Sequence, residues 1–261
     1  VTYLPLHADG RVHLEDVKEA LRKDTILVSI MLVNNETGCI NPIEEIATYV
    51  HAHSRAVVHS DMVQGLGKMT LPLAAVDMAT FSAHKIFGLK GSGILYHREH
   101  LRLLALISAG QQEGGLRGGT SNAPTEIVFA KTLRLALEEQ AAHIAHVREL
   151  NAYARAQLQT VRDIEINSPA EALPFILNFS CLSIGSEIML NALDARGICV
   201  SAQSTCNSRG KAISHVLLAM GKDELRATHA VRLSFSHLST RQEIDFFIRA
   251  LKEIIDEYAT R

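Results

Sequence analysis

Three short, largely apolar runs, each broken off by polar residues, constrain this chain more than any other feature. They are residues 26–33, ending at Asn34-Asn35-Glu36-Thr37-Gly38; residues 56–61, ending in Asp61 and followed by Met62-Val63-Gln64-Gly65; and residues 76–81, ending at Ser82-Ala83-His84-Lys85. Such runs are expected of strands covered on both faces. Between the first two, Pro42 opens a segment that sets Ile43, Ile46, Ala47 and Val50 on one helical face. Strand, helix, strand is the unit of a parallel sheet, so the expectation is an α/β fold with a mainly parallel sheet. In such sheets ligands bind beyond the carboxyl ends of the strands. Asn35, Asp61 with Gln64, and Ser82, His84 and Lys85 all fall there.

Lys85 is followed by Gly88-Leu89-Lys90-Gly91-Ser92-Gly93 and a further strand-like run over 91–96. A single loop lysine is ordinarily a solvated charge. A lysine at a strand end beside a glycine-rich turn, with an aspartate at the equivalent place of another strand, suits pyridoxal phosphate chemistry. The amine forms a Schiff base with the cofactor, and the carboxylate against the pyridine nitrogen keeps the ring able to accept electrons. Asn35 and Gln64 suit the ring's phenolic oxygen, and Ser82 and His84 its phosphate; no metal is needed. Of the four cysteines, Cys39, Cys181 and Cys199 have apolar neighbours and read as small buried hydrophobes. Cys206 instead lies in Gln203-Ser204-Thr205-Cys206-Asn207-Ser208-Arg209-Gly210-Lys211, a polar window whose cations favour a reactive thiolate.

Taken together, Asn34-Asn35-Glu36-Thr37-Gly38, Asp61-x-x-Gln64, Ser82-x-His84-Lys85-x-x-Gly88-x-Lys90-Gly91-x-Gly93, Arg117-Gly118-Gly119-Thr120 and the Cys206 window resemble the class V aminotransferase fold, specifically the group I cysteine desulfurases. The resemblance runs along nearly the whole chain. It implies a pyridoxal phosphate-binding large domain over residues 1–123, a helical connection over 124–155 and a smaller α+β domain over 156–261. It assigns Lys85 to the cofactor, Asp61 to the pyridine nitrogen, Asn35 and Gln64 to the ring oxygen, and Ser82 and His84 to the phosphate. Thr120 is assigned to the phosphate of a neighbouring subunit's cofactor, which implies a homodimer. Arg232 falls where the family binds the substrate carboxylate, a task suited to a guanidinium fork. Cys206 is then the nucleophile that takes sulfur from L-cysteine as a persulfide and releases alanine. The partner is a sulfur acceptor, such as an iron–sulfur scaffold or a tRNA-thiolation enzyme.

The chain departs from the pattern at Ala83, Leu89, Gly114 and Phe175, where glycine, proline, arginine and asparagine are usual. It also shows no counterpart of the family's first hundred or so residues, and a C-terminal fragment is expected. Selenocysteine lyase, another class V enzyme, or an inactive fragment or scaffold that keeps the fold are the neighbouring readings. A metal-dependent hydrolase using His51, His53, His59 and Asp61 is the rival from another class, although an i, i+2 histidine pair does not share a helical face.

With 26 basic and 28 acidic residues, the chain has no global attraction for nucleic acid or anionic membrane. Unpaired cysteines and the lack of a secretory signal point to the cytoplasm. No run reaches the length of a membrane span. Further expected elements are a strand over 1–6, a helical stretch over 126–155, and strands over 175–179, 199–201 and 230–234. A last helix is opened by the capping box Thr240-Arg241-Gln242-Glu243, with Ile244, Phe247, Ile248, Leu251 and Ile255 on its inner face.

Overall fold

The computed structural model describes residues 1–108, 110–202 and 213–259. Among them the elements run α1 (Leu14–Ala20), β1 (Leu27–Ser29), α2 (Ile43–His53), β2 (Val57–Asp61), β3 (Met78–Ser82), β4 (Gly93–His97), α3 (Ala123–Glu138), α4 (Gln140–Leu158) and β5 (Ile164–Ile166). They continue with β6 (Ile176–Cys181), α5 (Ser186–Asp194), α6 (His215–Ala219), α7 (Glu224–Thr228), β7 (Ala230–Ser234) and α8 (Arg241–Ala259). The chain divides into two compact units. One comprises residues 22–32 and 43–140, the other residues 1–21, 33–42 and 141–261.

The first unit is built on the sheet β1-β2-β3-β4, in which β1, β2 and β3 are parallel and β4 runs antiparallel to β3. Helix α2 makes the crossover from β1 to β2 and buries Ile43, Ile46, Ala47 and Val50, the expected stripe. The run at 26–33 forms a strand only over its first half. Beyond Ser29 the ladder survives as Ile30 N–H to His59 C=O and Leu32 N–H to Asp61 C=O, and the chain bends at Leu32. Pairing with β2 therefore continues to the strand's end without regular strand geometry.

The second unit holds the antiparallel sheet β5-β6-β7. Its central strand β6 is buried at every position. Leu177, Phe179 and Cys181 join a core with Leu150, Ala154 and Leu158 of α4, Met189 and Leu193 of α5, and Phe247, Leu251, Ile254 and Ile255 of α8. Strand β7 has the expected bounds. The capping box also forms, the Thr240 N–H donating to Glu243 Oε2 at 2.7 Å and the Glu243 N–H to Thr240 Oγ1 at 3.3 Å. All five residues named for the inner face of α8 are buried.

Three expectations are corrected. Residues 1–6 form no strand among the described residues, and Val1 and Tyr3 are fully open to solvent, because an alternating segment needs a neighbouring strand to pair with. Residues 199–201 contribute only an isolated bridge, Ser201 to Arg232. The expected helical stretch 126–155 is present, as two helices separated at Glu139, and the boundary between the units follows Gln140. Cys199 is exposed, not buried; its neighbours Ile198 and Val200 are the residues that pack against the core.

Thr240 satisfies an otherwise free amide at the start of α8, so Thr240→Ala should lower unfolding stability by about 1 kcal/mol. Urea denaturation of the two proteins measures it.

Candidate active site

Parallel pairing aligns the ends of β2 and β3: Asp61 lies opposite Thr80, and the Met62 N–H donates to Thr80 C=O at 3.1 Å. Asp61 closes β2 with an exposed carboxylate, of which Oδ1 accepts the Val63 N–H at 3.0 Å. Ser82 ends β3, and the chain then winds into a single tight turn over Ala83–Ile86 that carries His84 and Lys85. Two features hold that turn. Phe87 adopts a left-handed conformation (φ 67°), an uncommon and strained state for a bulky residue. The Gly88 N–H donates to Ala83 C=O at 2.9 Å, and a Cβ at position 88 would lie 2.8 Å from the Ala83 Cβ. Glycine is therefore required there, and Ala83, itself fully buried, leaves no room. The Ser82 hydroxyl does not cap the turn.

The loop leaving β2 coils through residues 63–68, with Leu66 N–H to Met62 C=O and Lys68 N–H to Gly65 C=O. It brings Gln64 and Lys68 together, the Lys68 ammonium donating to Gln64 Oε1 at 3.4 Å. Burial, and then the charge of Lys85, pull Lys68 down to about 8. The same cations act on His84, whose proton affinity is lowered first by desolvation and then by Lys85, Lys90 and Lys68. One unit thus gathers Asp61, Gln64, Ser82, His84 and Lys85, and adds Lys68, which sequence reasoning missed. The spacing Gln64-x-x-x-Lys68 was the available signal. Thr120 belongs to the same unit and is exposed just ahead of Asn122, the cap of α3.

Asn35 and Arg232 belong to the other unit. Asn34 folds the segment back on itself, its Oδ1 accepting the N–H groups of Glu36 at 2.9 Å and Thr37 at 3.0 Å. Gly38 closes the turn at φ +77°, where a Cβ would press on Ile176 and on the Leu173 carbonyl. Asn35 sits in this turn, and its carbonyl accepts Arg232 Nη1 at 2.8 Å. Arg232 Nε is buried with no partner among the described residues. Burial lowers the proton affinity of the guanidinium, and the charge of Glu36 opposes the effect. Glu36 is itself buried, 2% exposed, and accepts the Ser214 hydroxyl at 2.5 Å. Glu36 and Ser214 were not singled out from sequence, since 178 residues separate them. Cys206 lies outside the described residues.

The histidines of the metal reading have other partners. His51 Nε2 lies 2.8 Å from Asp77, His53 Nδ1 bonds the Tyr49 carbonyl, and His59 bonds the hydroxyls of Ser29 and Thr80. Among the described residues no three side chains of ligand type converge on one point.

The Aminotransferase class-V family pattern matches residues 1–247. The chain belongs to the class V aminotransferases. Members of this family are dependent on pyridoxal phosphate. The mitochondrial cysteine desulfurase of Candida maltosa is 35% identical over 263 residues, 98% of this class V chain and 54% of that protein. The cysteine desulfurase IscS of Dictyoglomus turgidum is also 35% identical, over 100% of this chain and 67% of its own length. A solved NifS-like protein superposes with a TM-score of 0.91 at 36% identity, covering 98% of this chain and 68% of that one. The chain therefore spans about half to two thirds of the length of these class V relatives. The donor set fits their cofactor: an exposed carboxylate, an amide, a hydroxyl that does not cap its turn and a group of cations stand at adjoining strand ends.

Lys68 allows a pH test of this environment. Its folded value, about 8, lies below the ordinary 10.5. Between those values the unfolded chain binds more protons than the folded one, so stability rises with pH across that window and the full penalty is present below it. Relative to Lys68→Met, the wild type should gain stability as pH is raised from about 8 to 10.5 in urea titrations. A constant difference across that range would contradict the burial assigned to the amine.

Proposed function

We propose that the protein carrying this chain is a cysteine desulfurase, converting L-cysteine to L-alanine and passing the sulfur to an acceptor. The observation that carries the reading is the Lys85 turn, held beside the Asp61 carboxylate at the carboxyl ends of two parallel strands. In this reading Lys85 holds pyridoxal phosphate, and Asp61 faces its pyridine nitrogen. Asn35 and Gln64 hold its ring oxygen, and Ser82 and His84 its phosphate. When bound, the cofactor supplies the electron sink that labilises bonds at the substrate's α-carbon. The relatives named cysteine desulfurase support the choice of substrate.

Arg232 binds the substrate carboxylate. With Nη1 committed to Asn35, the guanidinium edge carrying Nε, which has no partner among the described residues, remains for this task. The Cys206 thiolate bonds to the substrate sulfur, and the carbon–sulfur bond breaks with its electron pair on carbon. That carbon takes a proton to give alanine, leaving a persulfide on Cys206. The acceptor is an iron–sulfur scaffold or a tRNA-thiolation enzyme. Thr120 reaches the cofactor phosphate of a second subunit in a homodimer, and the protein works in the cytoplasm. No helix among the described residues is long and apolar enough to cross a membrane. The large cofactor-binding part is assigned to residues 1–123, the helical connection to 124–155 and the small domain to 156–261.

Borohydride reduction of the whole protein with pyridoxal phosphate, followed by peptide mass spectrometry, should fix the cofactor on Lys85 alone. An adduct on a different lysine would overturn the site. Cys206→Ser should retain the cofactor while sulfide release from cysteine falls by about a thousandfold. Undiminished sulfide release from that variant refutes the nucleophile assignment.

A further inference from the structure

Lys68 occupies a position that the reaction as described leaves without a task. The backbone that leads to it from Gln64 is closely packed. Gly67, at φ +68°, is packed so closely that a Cβ there would meet the Ala136 Cβ of α3 at 3.0 Å and Ile86 Cγ2 of the Lys85 turn at 3.3 Å. Gly65 is confined in the same way, since a Cβ there would stand 3.0 Å from both Leu32 and Leu71. The coil therefore has little freedom to move Lys68 away from Gln64. Placing an ammonium in this half-buried position is costly, as its lowered proton affinity records.

The contact between the two side chains has a definite polarity. An ammonium only donates, whereas a glutamine amide has one accepting and one donating end. Whatever approaches Lys68 must be the oxygen, and it is Oε1 that lies 3.4 Å from Nζ. The Nε2 group then remains at the other end of the amide as a donor. Without Lys68 the amide could turn over at small cost and present oxygen instead.

We propose that Lys68 is a positioning residue for the cofactor: by holding Gln64 Oε1, it presents Gln64 Nε2 as a donor to the anionic phenolic oxygen of pyridoxal phosphate. This rests on the cofactor reading given above. Lys68 acts through Gln64 and takes no part in bond making.

The test is a double-mutant cycle on cofactor affinity, measured in the whole protein by titrating the apo form with pyridoxal phosphate and following visible absorbance. Lys68→Met should weaken binding about tenfold, the loss of one oriented hydrogen bond. Lys68→Arg, which also only donates, should restore most of it. In a Gln64→Ala background, Lys68→Met should have no further effect, because the group it orients is gone. Gln64→Glu, which keeps the Lys68 contact but removes the donor, should bind as weakly as Gln64→Ala, and it supplies the test if Lys68→Met fails to fold. Wild-type affinity in Lys68→Met or in Gln64→Glu overturns the proposal. So does an undiminished effect of Lys68→Met when Gln64 is absent. The borohydride adduct on Lys85 of the wild type separates the two readings. If it forms while the cycle shows no coupling, only the Lys68 proposal fails; if it does not form, the cofactor reading fails and this proposal with it.

Discussion

Parallel pairing of β1, β2 and β3 is the constraint on which the candidate site depends. Parallel strands all end on the same side, and a chain leaving each end must turn there before it can cross back. Asp61 and Ser82 are thereby placed on neighbouring ends by the register of β2 and β3. The two loops that leave those ends carry Gln64, Lys68, His84 and Lys85. One coils at once and presents Gln64 and Lys68, and the other tightens around Lys85. Each is fixed by glycines that no other residue can replace without displacing a neighbour: Gly65 and Gly67 in the first, Gly88 in the second. A slip of one residue between β2 and β3 would turn every side chain of one strand to the opposite face and separate Asp61 from the lysine turn.

The other unit solves a different problem, that of keeping an arginine largely out of water. A buried guanidinium is tolerable only with acceptors and counter-charge around it. Arg232 has the Asn35 carbonyl as an acceptor and Glu36 as a nearby negative charge, both delivered by the turn that Asn34 folds and Gly38 closes. Glu36 in turn is held by Ser214, which also caps α6 by accepting the Leu217 N–H at 3.1 Å. Asn178, buried in β6, donates to the Glu36 carbonyl at 3.3 Å and so ties the turn to the sheet. What remains unpaired among the described residues is Arg232 Nε. A donor left buried this way costs free energy until an acceptor arrives, and under the proposed function that acceptor is the substrate carboxylate.

How far the sequence foretold these arrangements follows from the range of the interactions involved. Helix α8 and strand β7 were legible because their signals are local: a capping box and a 3.6-residue stripe in one, a compact apolar run in the other. The same holds for α2 and for the strand ends that carry Asp61 and Lys85. Residues 1–6 and 199–201 have strand-like composition too, but a strand exists only through a neighbour, and composition does not say whether one is there. The break at Glu139 was invisible because no glycine or proline marks it; the helical pattern continues on both sides while the chain passes from one compact unit to the other. Glu36 with Ser214, and Asn178 with Glu36, escaped notice because their partners lie far apart in sequence. Lys68 escaped for a different reason. A lysine in a loop ordinarily reads as solvated, and only the packing of Gly67 against α3 shows that this one is not.

The cations around Lys85 give the site its direction. Lys85 acts on Lys68, and Lys85, Lys90 and Lys68 all act on His84 and hold its imidazole toward the neutral form, while desolvation adds to the cost for Lys68 and His84. In water such groups would move apart, but the Gly88 contact and the coil over 63–68 prevent it. The folded chain therefore concentrates positive charge around the lysine turn, with the exposed Asp61 carboxylate at the end of the neighbouring strand. An anion entering this region would relieve the mutual repulsion, and a ligand that pairs a phosphate with an ionised ring oxygen would do so at two points. Charges fixed in place before the ligand arrives need no rearrangement on binding, which is how a rigid site favours one charged ligand over the solvent. A neutral ligand of the same shape would leave the repulsion in place.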